Sequence, residues 1–261
     1  MRIEKLTIAN YRNYASAEIY PGGGVNLFVG NNAQGKTNLL ESVYLASVGR
    51  SARTPRWQEL IKWGEKEALV RVSVRKDIGR DEVTIKLDKE KRVAVNGLPL
   101  SRIGELMGVL KTVLFSPDEL RIVKDGPGER RRFIDIALCQ LSKAYFYALT
   151  RYNKILAQRN KLLKSSPADD AIDVWDMQLA REGARVVKTR RGFIERLAPL
   201  AEAVHLDITG SEKLSLSYEG PEGGSIDEIE AALLAALHKS RQRDRMFMLT
   251  PSASSTDVIA D

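Results

Sequence analysis

One cysteine, Cys139, and two histidines, His205 and His238, are the only thiol and imidazole groups in this 261-residue chain. A single thiol inside a helical pattern excludes a disulfide framework and a thiolate metal site, and reads as a small buried hydrophobe. Two histidines far apart in sequence argue against zinc. No run approaches the roughly 18 uninterrupted apolar residues of a membrane span. The N-terminus lacks the apolar core of a signal peptide, so no membrane partner and a cytoplasmic location are expected. No internal repeat is present. Acidic residues are the minority charge: 41 Lys and Arg against 34 Asp and Glu leave a formal charge of +7, with a pI near 9.4. That balance suits a polyanionic partner and equally a solvated surface. The length allows one large domain or two lobes.

Against this sparse background one motif carries chemistry. Gly30-Asn31-Asn32-Ala33-Gln34-Gly35-Lys36-Thr37 fits G-x-x-x-x-G-K-[ST], the loop that wraps backbone amides around nucleotide phosphates. The apolar run Val25 to Val29 before it reads as a buried strand, and Asn38 to Val48 after it as a helix, which is the context the motif requires. Gly30 and Gly35 let the backbone approach the phosphates. The amides and the positive end of the helix then face the anion. Lys36 is expected on the β- and γ-phosphates and the Thr37 hydroxyl on Mg²⁺. Asn31, Asn32, Ala33, Gln34 and Asn38 complete the expected nucleotide-binding set, Asn31, Asn32 and Gln34 shaping the loop rather than reacting.

Hydrophobic periodicity sets out the rest. Ile3, Leu6 and Ile8 mark a first strand and Ile19 the end of a second, with the polar turn Asn10 to Tyr14 between them. Gly49 is a stop for the helix after the loop, and Arg50, Arg53 and Arg56 follow close together. Leu69 to Arg75 and Val83 to Leu87 alternate as half-buried antiparallel strands, and Asn96-Gly97 is a hairpin signal after Val93 to Val95. Thr112 to Phe115 reads as a short buried strand. Helical spacing runs from about Gly128 to Lys164 and from about Ala171 to Ala203, separated by Ser165-Ser166-Pro167. Leu206 to Tyr218 reads as a hairpin. Ser225 and Glu228 form a capping box for a helix to about Lys239, Arg245 to Leu249 reads as a strand, and Thr250 to Asp261 as a polar tail.

Tyr11-Arg12-Asn13-Tyr14, Thr37-Asn38-Leu39-Leu40-Glu41, Val113 to Leu120, Arg130-Arg131-Arg132-Phe133-Ile134-Asp135, and Tyr152 to Leu156 with Gln158-Arg159-Asn160 and Leu162-Leu163-Lys164 together resemble the bacterial RecF family of recombination mediators. The resemblance covers the first 165 residues densely and the remainder thinly. It implies an α/β fold, a P-loop ABC-type ATPase head related to those of Rad50 and the structural-maintenance-of-chromosomes proteins, with an antiparallel β subdomain and an inserted helical lobe. On that plan residues 1–125 form an ATP-binding lobe, 126–205 a helical lobe, and 206–261 return toward the first. The resemblance further implies ATP acting as a clamp between two heads on gapped, junction or duplex DNA, partnership with RecR and RecO in recombinase loading, and support of the SOS response. Arg12 matches an arginine that reaches the nucleotide phosphates in related heads, and Asn13 lies beside it.

The chain departs from the family at Ala52, where His is usual, and at Pro251-Ser252-Ala253-Ser254, near a usual Pro-His-Arg-Asp. It shows neither a signature loop nor four apolar residues leading into Asp-Glu. Asp118-Glu119 follows Ser116-Pro117, which interrupts a strand, and Pro221 to Ser225 reads as a turn and helix cap. In the family the missing parts lie beyond Asp261, so a shortened piece or a naturally short relative is expected, weakly hydrolytic only at full length. Arg181, Arg185 and Lys188 share a helix face suited to DNA phosphates. Without a recognition helix or stacked aromatics, binding without sequence preference is expected. A nucleotide-dependent interaction protein without catalysis is the alternative, and a small-molecule P-loop kinase a remoter one.

Overall fold

A computed structural model describes residues 1–116, 121–124, 126–165, 168–250 and 257–260, in two compact units. The first holds Met1–Phe115 with Gln140–Lys143. Its six antiparallel strands run in the order β2-β1-β3-β4-β5-β6. These are β1 (Arg2–Tyr11), β2 (Tyr14–Ile19), β3 (Ala68–Arg75), β4 (Arg80–Leu87), β5 (Lys91–Val95) and β6 (Leu98–Pro99). Alternating β-branched residues fix the register, because a slip of one position would turn every one of them to solvent. Ile8 lies opposite Val70, Val70 opposite Ile85 and Ile85 opposite Val93, so one apolar row crosses four strands. Helix α1 (Lys36–Val48) packs against β3 and β4 and buries Leu39, Tyr44, Leu45 and Ala46. It stops at Gly49, whose left-handed backbone lets its N-H donate to the Leu45 carbonyl at 2.8 Å.

Two expected strands of this unit do not form. Val25 to Val29 has no strand pairing, and Val25 is 100% exposed. Thr112 to Phe115 is likewise irregular, with Val113 87% exposed. An apolar run becomes a strand only when a neighbour takes its backbone groups, and neither run has a strand neighbour among the described residues. At Thr112 the side-chain amide of Gln140 takes that place, accepting from Thr112 N at 2.7 Å and donating to Thr112 O at 3.0 Å.

The second unit holds Ser116–Cys139 and Ala144–Asp261. Its elements are α2 (Arg121–Lys124), α3 (Pro127–Leu141, whose last two residues belong to the first unit), α4 (Lys143–Leu163), α5 (Asp169–Thr209), β7 (Leu216–Glu219), α6 (Ile226–Phe247) and β8 (Asp257–Ala260). Ile134, Leu138, Tyr145, Ala148, Val186 and Ile194 make one core of α3, α4 and α5, and Leu179, Ala180 and Leu237 join α5 to α6. Gly183 permits that close approach, since a Cβ there would lie 3.1 Å from Leu233 and 3.2 Å from Tyr152. The capping box is present: Ser225 accepts from Glu228 N, and Glu228 reaches back to the N-H of Ser225.

The structure corrects the remaining expectations. Leu206 to Tyr218 is not a hairpin, because α5 continues to Thr209 and ends at Gly210, leaving only β7. Arg245 to Leu249 is not a strand; Arg245 sits in the last turn of α6, where a cation complements the helix dipole. The tail is more than polar coil, since β8 pairs antiparallel with β7. Residues 206–250 and 257–260 fall in the second unit, where the sequence suggested a return to the first. Asp118-Glu119, Ser166-Pro167 and Pro251 to Ser254 lie outside the described residues.

Arg159 is wholly buried and holds α4 to α5 and α6: its Nε donates to Asp176 at 2.5 Å, and its Nη1 donates to Asp244 at 2.9 Å and to Thr250 at 2.7 Å. A buried pair adds little when intact, but removing one member leaves an uncompensated charge. Arg159→Ala is therefore expected to cost about 3 to 5 kcal/mol, read as a lowered midpoint in urea unfolding. A midpoint equal to the parent's would show that Asp244 is not dependent on this cation.

Candidate functional site

The phosphate loop curls over the start of α1. Gly35 precedes the helix with φ 105°, and no side chain caps the first turn, nor does any acidic residue lie in it. The orphan amides of a helix start seek an acceptor and carry partial positive charge, so this end is left open to an anion. Lys36 folds across the loop and its Nζ donates to the carbonyls of Gly30 at 2.6 Å and Asn31 at 2.7 Å. The Asn31 N-H donates to the Gln34 side chain at 2.9 Å. Ala33 takes a left-handed φ of 65°, while Asn32 and Thr37 are exposed.

The turn between β1 and β2 lies directly on this loop. A Cβ on Gly35 would come within 2.7 Å of the Asn13 amide and 2.9 Å of the Tyr14 ring, and the Tyr14 hydroxyl donates to Gly35 O at 3.2 Å. Asn38 donates to Asn13 at 2.9 Å and accepts from Arg53 at 2.9 Å. The turn is itself strained, with Arg12 at φ 54°, a region that costs a non-glycine residue about 1 to 3 kcal/mol. Its backbone is pinned on both sides, Arg12 N to Leu60 O at 2.7 Å and Lys62 N to Asn10 O at 2.8 Å.

Beneath the turn sits Glu41 of α1, 2% exposed. Arg12 grips it with a fork, Nε to Oε2 at 3.0 Å and Nη2 to Oε1 at 2.8 Å, while its Nη1 donates to Glu59 O at 3.0 Å. The Ser51 hydroxyl also donates to Glu41, and Arg53 stands 3.8 Å away. Burial opposes the Arg12 charge, but the hydrogen bond and proximity to Glu41 outweigh it and hold the guanidinium pKa above its ordinary value. A cavity of about 630 Å³ is lined by Arg12, Asn13, Asn38, Arg53, Gln58, Glu59, Ile61 and Trp63. Glu41, Ser51, Arg53 and Tyr14 were not named as site residues from sequence, although Tyr14 and Glu41 lie in strings that carry the resemblance and Arg53 in the arginine group after Gly49. The available signal was a carboxylate between apolar Leu39, Leu40 and Val43, which needs a cation once buried.

The structure thus brings Arg12, Asn13, Gly35, Lys36 and Asn38 together. Arg181, Arg185 and Lys188 belong to the second unit, on α5. Arg185 donates to Glu182 at 3.3 Å and Lys188 to Gly224 O at 2.5 Å, so part of their charge is used in holding α5 and the loop before α6. Asp173, Asp176 and His238 could bring ligand atoms within 4.8 Å of one another. Arg241 already bonds both carboxylates there, Asp176 at 2.7 Å, which makes the cluster an ion-pair network. No helix among the described residues is long and apolar enough to cross a membrane.

A phosphate loop and its helix against an antiparallel sheet, with a separate helical unit, define an α/β P-loop ABC-type ATPase head. The family described as AAA domain matches residues 5–176. The chain is 42% identical over 265 residues to the DNA replication and repair protein RecF of Alkaliphilus oremlandii, covering 98% of this chain and 73% of that protein. It is 43% identical to the protein of the same name from Ruminiclostridium cellulolyticum, covering 94% and 69%. A solved structure of the recombination mediator protein RecF-ATPrS in the RecFOR pathway matches with a TM-score of 0.93 at 33% identity, covering 100% of this chain and 73% of that one. This chain belongs to the RecF family.

The contact of turn and loop has a direct check. Gly35→Ala would drive a Cβ into Asn13 and Tyr14 at a left-handed position, and is expected to lower stability by about 1 to 3 kcal/mol. Thermal unfolding reads it, and an unchanged Tm would mean that turn and loop are not in contact.

Proposed function

We propose that this chain binds ATP with Mg²⁺ on Gly30 to Asn38 and uses the nucleotide to govern DNA binding in recombinational repair and replication-fork maintenance. The observation that carries the reading is the uncapped, acid-free start of α1 with Lys36 lying across it. A polyphosphate would take the amides and draw Lys36 off the Gly30 and Asn31 carbonyls, and the Asn31 amide off Gln34. The exposed Thr37 hydroxyl would hold Mg²⁺, which when bound neutralises phosphate charge. Arg12 and Asn13 approach from the side. DNA binding rests on the positive net charge and on relatives named for DNA replication and repair, with Arg181, Arg185 and Lys188 the proposed contacts. Membership of the family extends the proposal to ATP-dependent pairing of heads, action with RecR and RecO, recombinase loading, support of the SOS response and a cytoplasmic location.

Because no strand in the sequence leads into a paired Asp-Glu, the chain on its own is proposed to hold nucleotide without turning it over, as an interaction protein does. Lys36→Ala is expected to abolish ATP binding in calorimetry with an unchanged circular dichroism spectrum, since the substitution opens no cavity. Retained affinity would remove the loop from the account. Duplex and gapped DNA should be bound with little sequence preference and with affinity that falls steeply as salt rises, through counterion release. Affinity that is flat in salt would exclude phosphate contacts.

A further inference from the structure

We infer that Glu41 is a positioning residue for the nucleotide phosphates, acting through Arg12 and Arg53. The inference rests on the ATP-binding reading and deepens it. Glu41 is buried on α1, about one and a half turns from Lys36, and its carboxylate is the acceptor on which both arginines converge. A buried carboxylate needs cationic partners. One arginine with a bidentate fork and one serine hydroxyl already satisfy it, yet a second arginine stands 3.8 Å away. The knot therefore carries two guanidinium charges against one carboxylate. A second carboxylate, Glu59, also lines the cavity and acts on Arg12, but it accepts from Thr54 at 2.7 Å and Arg56 at 3.3 Å, so that with Arg56 counted three guanidinium charges stand against two carboxylates. The surplus positive charge lies where Arg12 and Arg53 line the cavity together with Asn13 and Asn38.

Geometry adds a second argument. Arg12 occupies a strained backbone conformation on a turn that touches Gly35, and its fork onto Glu41 spends Nε and one Nη2 hydrogen. A guanidinium carries five N-H donors in a rigid plane. Clamping one edge to a carboxylate that is itself fixed in α1 orients the remaining hydrogens relative to Lys36, which belongs to the same helix. Arg53 is linked to the loop by Asn38, which bonds Asn13 in turn. Glu41 thus sets the distance from both guanidinium groups to the helix start, without touching the nucleotide itself.

Calorimetry with ATP and Mg²⁺ on the 261-residue chain tests this, using Glu41→Gln, Arg12→Ala, the double variant, Arg53→Gln and Lys36→Ala. Glu41→Gln keeps the shape of the side chain and is expected to weaken ATP binding about tenfold, the scale of one charge-assisted hydrogen bond. A purely structural effect would add to that of Arg12→Ala; an effect passing through Arg12 is expected to leave the double variant no weaker than Arg12→Ala. Full affinity in Glu41→Gln, or additive losses in the double variant, overturns the inference. If Glu41→Gln fails to fold, exposed Arg53→Gln decides: a loss of at least about threefold, part of one such bond, supports it, and parental affinity overturns it. Lys36→Ala keeps the two readings apart, because retained binding there defeats ATP binding at this loop, while its loss beside an unaffected Glu41→Gln defeats only the role of Glu41.

Discussion

A buried negative charge cannot stand alone, and Glu41 shows what satisfying one does to a fold. Its carboxylate lies at 2% exposure on the inner side of α1, and its partners come from two separate segments, the turn after β1 and the loop that follows Gly49. Beside the backbone bonds that join Arg12 to Leu60 and Asn10 to Lys62, electrostatic pairing in a site of low dielectric holds those segments to α1. The strained φ of Arg12 and the contact of Asn13 and Tyr14 with Gly35 both depend on the turn being kept in place.

The phosphate loop is built from the opposite kind of feature, a set of groups left without strong partners. Gly35 supplies no capping side chain and the first turn has no acid. Lys36 and Gln34 meanwhile turn inward on the loop's own backbone. The Lys36 bonds set an ionised donor against neutral carbonyls, whereas a phosphate would add the attraction of opposite charges and also take the loop's amides. In the second unit the logic is again pairing: Arg159, Arg190 and Arg241 each meet carboxylates inside the helical packing. Such pairing removes a cation together with an anion and leaves the net charge of +7 unchanged, but it withdraws these particular arginines from any contact with a polyanion.

The phosphate loop, α1 with its stop at Gly49, the β3 and β4 alternation, the Asn96-Gly97 turn and the Ser225 to Glu228 capping box were all legible, because each depends on residues close in sequence. What was illegible depends on a partner elsewhere. Val25 to Val29 and Thr112 to Phe115 are apolar enough for strands, but a strand is a property of two segments. Conversely, Asp257 to Ala260 looked like tail and becomes β8 because β7 is there to pair with it. Arg12 and Asn13 could be named from the resemblance. Glu41, Ser51 and Arg53 could not, since burial of Glu41 becomes visible only when the turn folds over α1.

On this inference the β1–β2 turn, the phosphate loop and the segment after α1 form one cradle held by Glu41. Amide hydrogen exchange on the 261-residue chain, with and without ATP and Mg²⁺, tests it most directly. Protection is expected to rise together in residues 10–14, 30–38 and 51–53. Protection confined to 30–38, with the other two segments exchanging as before, would contradict it.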